Sequence, residues 1–74
     1  TLTSVFPNPA NTEITINGDY ISFKVLDLQG KEMTIGTLNN NQAVVNTSNL
    51  PNESYIIQLQ GENTQFVRKI EVVH

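Results

Sequence analysis

Cysteine is absent from this chain, and its one histidine, His74, is the last residue. Without cysteine no disulfide can brace the fold, although small extracellular domains often depend on them. Without an internal histidine no Ser/His or Cys/His relay can be assembled, so the serines at 4, 22, 48 and 54 read as turn and strand-surface residues. Basic residues are scarce as well. Four Lys/Arg stand against seven Asp/Glu, a net charge of −3, which excludes the basic footprint that nucleic-acid binders need. The same balance is too mild to define an acidic tail. No apolar run approaches the roughly 18 residues of a membrane span, and the chain does not open on a basic, apolar leader. Residues 1–74 are therefore expected to be a segment of a longer protein. Helical periodicity is missing throughout.

What remains is a chain of 74 residues, 38% hydrophobic, enough for one small domain. At this length only about 60% of the unfolded chain's surface can be buried, so sheet pairing and apolar packing must supply the stability. Period-2 alternation dominates. It predicts strands over 2–6, 13–17, 20–28, 32–37, 42–47, 54–60 and 64–73. Inward residues are expected to be Ile14 and Ile16, then Ile21, Phe23 and Val25. Ala43, Val45 and Thr47 follow, then Tyr55, Ile57 and Leu59, and finally Phe66, Ile70 and Val72. Leu26 and Leu28 fall on the face opposite Val25, which means either that both faces are partly covered or that a bulge shifts the register. Seven short strands separated by turn signals fit an all-β fold, a small antiparallel β-sandwich.

The connections carry most of the local information. Phe6-Pro7-Asn8-Pro9 reads as a stiff extended crossover, because each proline fixes φ and pushes its predecessor into an extended conformation. Asp27-Leu28-Gln29-Gly30-Lys31 reads as a tight hairpin turn with Gly30 left-handed. Ser48-Asn49-Leu50-Pro51-Asn52-Glu53 is a corner, and Tyr55 just beyond it is placed for its hydroxyl to cap backbone groups.

Candidate chemistry is thin. Asp19, Asp27 and Glu53 carry calcium-ligating oxygens but not the spacing of a ligand-dense loop, and Asp27 is better explained by its turn. Asn46-Thr47-Ser48 and Asn52-Glu53-Ser54 match the glycosylation acceptor pattern, and in an asparagine-rich chain they carry no assignment. Tyr20, Tyr55 and the phenylalanines would make a carbohydrate platform only if exposed together, and the alternation points most of them inward. Arg68-Lys69 with Lys24 and Lys31 makes either a basic strip or charges that guard an edge strand. No enzyme, cofactor or metal is implied.

Four stretches in order resemble one family. Val5-Phe6-Pro7-Asn8-Pro9-Ala10-Asn11 is similar to its opening "(Y/F)PNPA" signature. Val25 to Met33 resembles its "D-x-x-G-(R/K)-x-(V/M)" hairpin, and Ser48 to Tyr55 its "L-P-x-G-x-Y" corner. Phe66-Val67-Arg68-Lys69-Ile70 resembles its closing basic strand. The family is the type A C-terminal sorting domain of the type IX (Por) secretion system, and the resemblance spans essentially the whole chain. It implies an Ig-like β-sandwich that serves as a signal. The domain would ride at the C-terminus of a secreted cargo, fold in the periplasm and direct the cargo through the outer-membrane shuttle and translocon. A sortase-like protease would then remove it at the cell surface of a Gram-negative bacterium.

On this resemblance the signature residues are Phe6, Pro7, Asn8, Pro9, Asp27, Gly30, Leu50, Pro51, Tyr55, Arg68 and Lys69. Glu53 stands where the family has glycine, so a different turn is expected there, with Asn52 as the left-handed residue. Such a sandwich leaves strands one and seven as edges to which a partner can add a strand. Recognition is expected along Thr64 to Val73, and a homodimer stays open. The rival reading is an Ig-like spacer or a carbohydrate- or protein-binding module of an extracellular protein.

Overall fold

The computed structural model describes residues 3–6 and 12–74. The alternating segments fold as seven strands, with no helix among the described residues. They are β1 (Ser4–Phe6), β2 (Glu13–Asn17), β3 (Ser22–Leu26), β4 (Glu32–Thr37), β5 (Gln42–Asn46), β6 (Ser54–Gln60) and β7 (Gln65–Glu71). Two antiparallel sheets form, ordered β1-β2-β5 and β4-β3-β6-β7. Labelled A to G in the immunoglobulin manner, the first sheet is A-B-E, and the second is G-F-C with one further strand beside C. The expected all-β, Ig-like sandwich is what this sequence adopts.

Alternation builds the core directly. Val5, Ile14, Ile16 and Val45 of the first sheet meet Phe23, Val25, Tyr55, Ile57, Leu59 and Ile70 of the second, and Val72 closes the layer. Thr47 continues the inward row of β5 and is fully buried. All seven expected strands overlap the observed ones within two residues at each end where described. The third is shorter than the expected 20–28. Its first apolar residue, Ile21, is not in the core but 58% exposed. Ile21 donates its N–H to Gln60, so its backbone is paired, but it lies at a bend before β3 begins and its side chain is left in solvent.

The Leu26 ambiguity resolves as a bulge. Val25 pairs with Thr34 but Leu26 pairs with Glu32, so Met33 is the extra residue of β4. The bulge tucks Met33 against the core and leaves Leu26 half-buried on the outer face, whereas Ile35 stays exposed.

The turns follow the residues that make them. Gly30 has φ +89°, as expected of the hairpin's left-handed position. Asn40 and Asn41 both have positive φ, and Asn39 and Gln42 exchange two backbone bonds around them. That is the backbone of a type I′ turn, for which asparagine is among the best residues. The corner departs from expectation. Neither Asn52 nor Glu53 has positive φ, so no left-handed residue replaces the missing glycine, and Glu53 sits there without backbone strain. Its carbonyl instead accepts the N–H of Val72. Residues 7–11, with Pro7, Asn8 and Pro9, lie outside the described residues.

Candidate recognition surface

One end of the sandwich gathers several sequence-predicted residues. Asp27 anchors the β3–β4 hairpin there. One of its carboxylate oxygens accepts the N–H of Gln29 at 2.9 Å and of Lys31 at 2.8 Å, while its carbonyl accepts from Gly30. These bonds account for the carboxylate, and among the described residues no cluster of three acidic or histidine side chains could hold a metal. Asp27→Ala should cost about 1 kcal/mol, because both lost bonds are exposed and water replaces them in part. Urea unfolding checks this, and hydrogen exchange should localise the loosening to 27–31.

The corner lies against this hairpin. Asp27, Leu28, Gln29, Glu53 and Ser54 line a shared groove of about 380 Å³. Tyr55 is fully buried, and its hydroxyl donates to the carbonyl of Pro51 at 2.8 Å. This is the tyrosine corner of Ig-like sandwiches, four residues upstream on the backbone. Burial pushes the Tyr55 phenol above its ordinary value, and the negative charges of Glu53 and Asp27 add to that. Leu50 packs on the core beside the same corner.

The end of the chain reaches this corner too. His74 donates its backbone N–H to the side-chain oxygen of Asn52 at 3.1 Å, and its Nε2 lies 2.7 Å from the carbonyl of Leu50. His74 is therefore held against the corner. Thr12 accepts the N–H of Thr47 at its carbonyl where the corner begins, and Phe6 at the end of β1 is 47% exposed.

Arg68 and Lys69 stand apart from this end and from each other. Adjacent strand residues face opposite sides of a sheet. Arg68, opposite Ile57, stays on the core-side margin with its guanidinium 4.9 Å from the Phe66 ring centre. Lys69, opposite Ile56, projects from the outer face. Lys24 on that face pairs with Glu32 at 3.3 Å, so the basic strip does not form.

Strand β7 is an edge, and its pairing parity fixes what the edge offers. Gly61 donates to Thr64 and Val72 donates to Glu53, so the even-numbered residues of β7 bond to β6. The backbone N–H and C=O of Val67 and Lys69 consequently point away from the sheet.

A carbohydrate platform is not present among the described aromatics. Tyr55 is in the core, and the rings of Tyr20 and Phe66 are tilted by 49° at 6.2 Å. Sequence reasoning missed a groove between β4 and β5, lined by Phe23, Gly36, Thr37, Asn39, Gln42, Ala43 and Val44. Two signals pointed to it, an isolated glycine within a strand, Gly36, and an apolar residue at an outward position, Val44.

The described residues thus make an Ig-like sandwich whose offered features are strand edges, turns and shallow grooves, the equipment of a domain that is recognised. Residues 4–73 match the family described as the secretion system C-terminal sorting domain, and the chain belongs to that family. It is a type IX sorting signal carried on a cargo protein, and it takes that cargo to the cell surface or the extracellular space through contact with the secretion machinery. The family is not a catalytic one. No curated protein matches the chain.

Proposed function

We propose that residues 1–74 act as one sorting unit on a longer secreted protein, and that the export machinery reads it along the β7 edge. The unit folds in the periplasm, engages the outer-membrane shuttle and translocon, and is removed by a sortase-like protease at the surface. Asp27, Gly30, Leu50, Pro51 and Tyr55 hold the folded end beside the corner, and Phe6, Pro7, Asn8 and Pro9 are the signature residues that open the unit. Arg68 and Lys69 belong to the segment that is read. The observation that carries this reading is the outward backbone of Val67 and Lys69 on an open edge, to which an extended partner can hydrogen-bond.

Proline substitution separates reading from folding. Val67→Pro removes only an outward N–H, which an edge strand tolerates, whereas Arg68→Pro removes a rung of the β6–β7 ladder. In a reporter fused to this chain, Val67→Pro should abolish export while thermal unfolding stays near wild type. Arg68→Pro should lose both. Normal export of a folded Val67→Pro fusion overturns the proposal. Deleting 68–74 is less informative, because it also removes the buried Ile70 and Val72.

A further inference from the structure

The two sheets differ in width, three strands facing four. On one side they are tied together. Thr3, beside β1, shares a 2.9 Å hydroxyl bond with Tyr20, whose ring rests on Phe66 of β7. On the other side β4 overhangs, and a groove of about 380 Å³ opens between it and β5.

We infer that this groove seats one added β-strand, donated by a component of the secretion machinery, which lies beside β5 and completes a four-on-four sandwich. Pairing parity supplies the docking groups. Thr47 donates to Thr12 and Gly18 donates to Asn41, so Ala43 and Val45 bond to β2, and the backbones of Val44 and Asn46 point into the open side. The corresponding groups of Gln42 are used in its turn with Asn39. A strand set about 4.8 Å beyond β5 lies over the inner surface of β4.

The occupant's chemistry follows from the lining. Edge strands are ordinarily guarded by charge or proline, yet β5 (Gln42–Asn46) has neither, and its Val44 is 57% exposed. Among the described residues no ionisable group lines the groove. An added strand must therefore be uncharged where it is covered, since an inward lysine or glutamate would be buried unpaired. Its inward side chains rest on Phe23 and Gly36, which suits aliphatic residues of moderate size. A second copy would bring its own four-stranded sheet against the overhanging β4, so a single donated strand suits the groove better. The cargo does not fill the groove either. It precedes a C-terminal sorting domain, so it leaves from β1, the opposite edge of the same sheet. Only the source of the strand rests on the sorting function; the groove does not.

The test uses a capped peptide of alternating valine and threonine, with a lysine at each end for solubility, titrated into the isotope-labelled chain. The amides of Val44 and Asn46 should shift and gain protection from exchange. Val44→Pro should weaken binding about tenfold, the effect of one lost backbone bond, and Val67→Pro should leave it unchanged. Shifts at Val67 and Lys69 instead, no shifts, or shifts at Val44 that grow with protein concentration alone overturn the groove assignment. In the reporter fusion, Val44→Pro should reduce export while the fold is retained, and normal export excludes the machinery as donor. An unmodified fusion that is not exported refutes the sorting reading and leaves peptide binding at β5 standing.

Discussion

Tyr55→Ala should remove about half of the chain's stability at room temperature. A chain of this size has roughly 4 to 11 kcal/mol of stability, from about 0.05–0.15 kcal/mol per residue. Removing a fully buried aromatic side chain costs about 3–5 kcal/mol, because the cavity adds to the lost transfer energy. Tyr55 sits on β6, between β3 and β7 and opposite Ile70, so few neighbours can collapse into the space.

Tyr55→Phe separates the ring from the hydroxyl. It keeps the packing and loses only the bond to Pro51, for a cost of about 1 kcal/mol. It should also change the pH profile. The folded phenol holds its proton more tightly than the unfolded one, so between the two pKa values the folded state binds more protons. Stability should accordingly be flat below about pH 10 and fall as pH rises through the folded value, and Tyr55→Phe should flatten that fall. Denaturant midpoints measured from neutral to alkaline pH check both statements. An alkaline decline that is unchanged in Tyr55→Phe would show that other groups cause it.

Gly36→Ala should cost about 1–3 kcal/mol, a large effect for one methyl group on an edge strand. A Cβ at this position would stand 2.6 Å from Cζ and 2.7 Å from Cε2 of Phe23. Phe23 pairs directly with Gly36 across β3 and β4, and its ring lies over the glycine as an aromatic cover for an edge position. The added methyl displaces the ring from the core toward the β4–β5 groove. At roughly 4–8 °C per kcal/mol for a domain of this size, calorimetry would register the loss easily. A double-mutant cycle with Phe23→Leu gives the decisive measurement. Shortening the aromatic removes the clash, so the double variant should be more stable than the sum of the two losses predicts. Strict additivity would place the cost of Gly36→Ala elsewhere.

These two predictions rest on different kinds of legibility. The inward set Tyr55, Ile57, Leu59, Ile70 and Val72 was readable because strand side chains alternate faces and only one face of each strand is apolar. The Asp27–Gly30 hairpin and the tyrosine corner were readable because turn and cap chemistry is local. Gly36 was legible only as a glycine in a strand pattern. That Phe23 covers it follows from the β3–β4 register, which the bulge at Met33 sets. The exposure of Ile21 was hidden for a related reason. Alternation assigns a face to each residue but not the place where the strand begins and the chain bends away.

The candidate site divides in the same way. Asp27, Leu50, Pro51 and Tyr55 were identifiable as members of turns, but their gathering at one end of the sandwich depends on strand order. The pairing of Arg68 with Lys69 as a strip was lost to the two-residue period, which sets neighbours on opposite faces. The replacement of glycine by Glu53 suggested an altered left-handed turn. The corner instead keeps negative φ and is secured by Val72 and Tyr55, two residues outside it.

By itself, the sequence determined an all-β chain without disulfides or catalytic relays, the faces of most strands, the hairpin at Asp27 and a four-part likeness to the sorting domains. Short-range physics governs each of these, namely side-chain alternation, proline and glycine dihedrals, and the count of ionisable groups. Tertiary structure alone decided which strands became edges, how three strands came to face four, and therefore where an extended partner finds unpaired backbone. Those outcomes depend on pairing between segments far apart in the chain, and no local pattern of residues encodes how far one sheet extends beyond another.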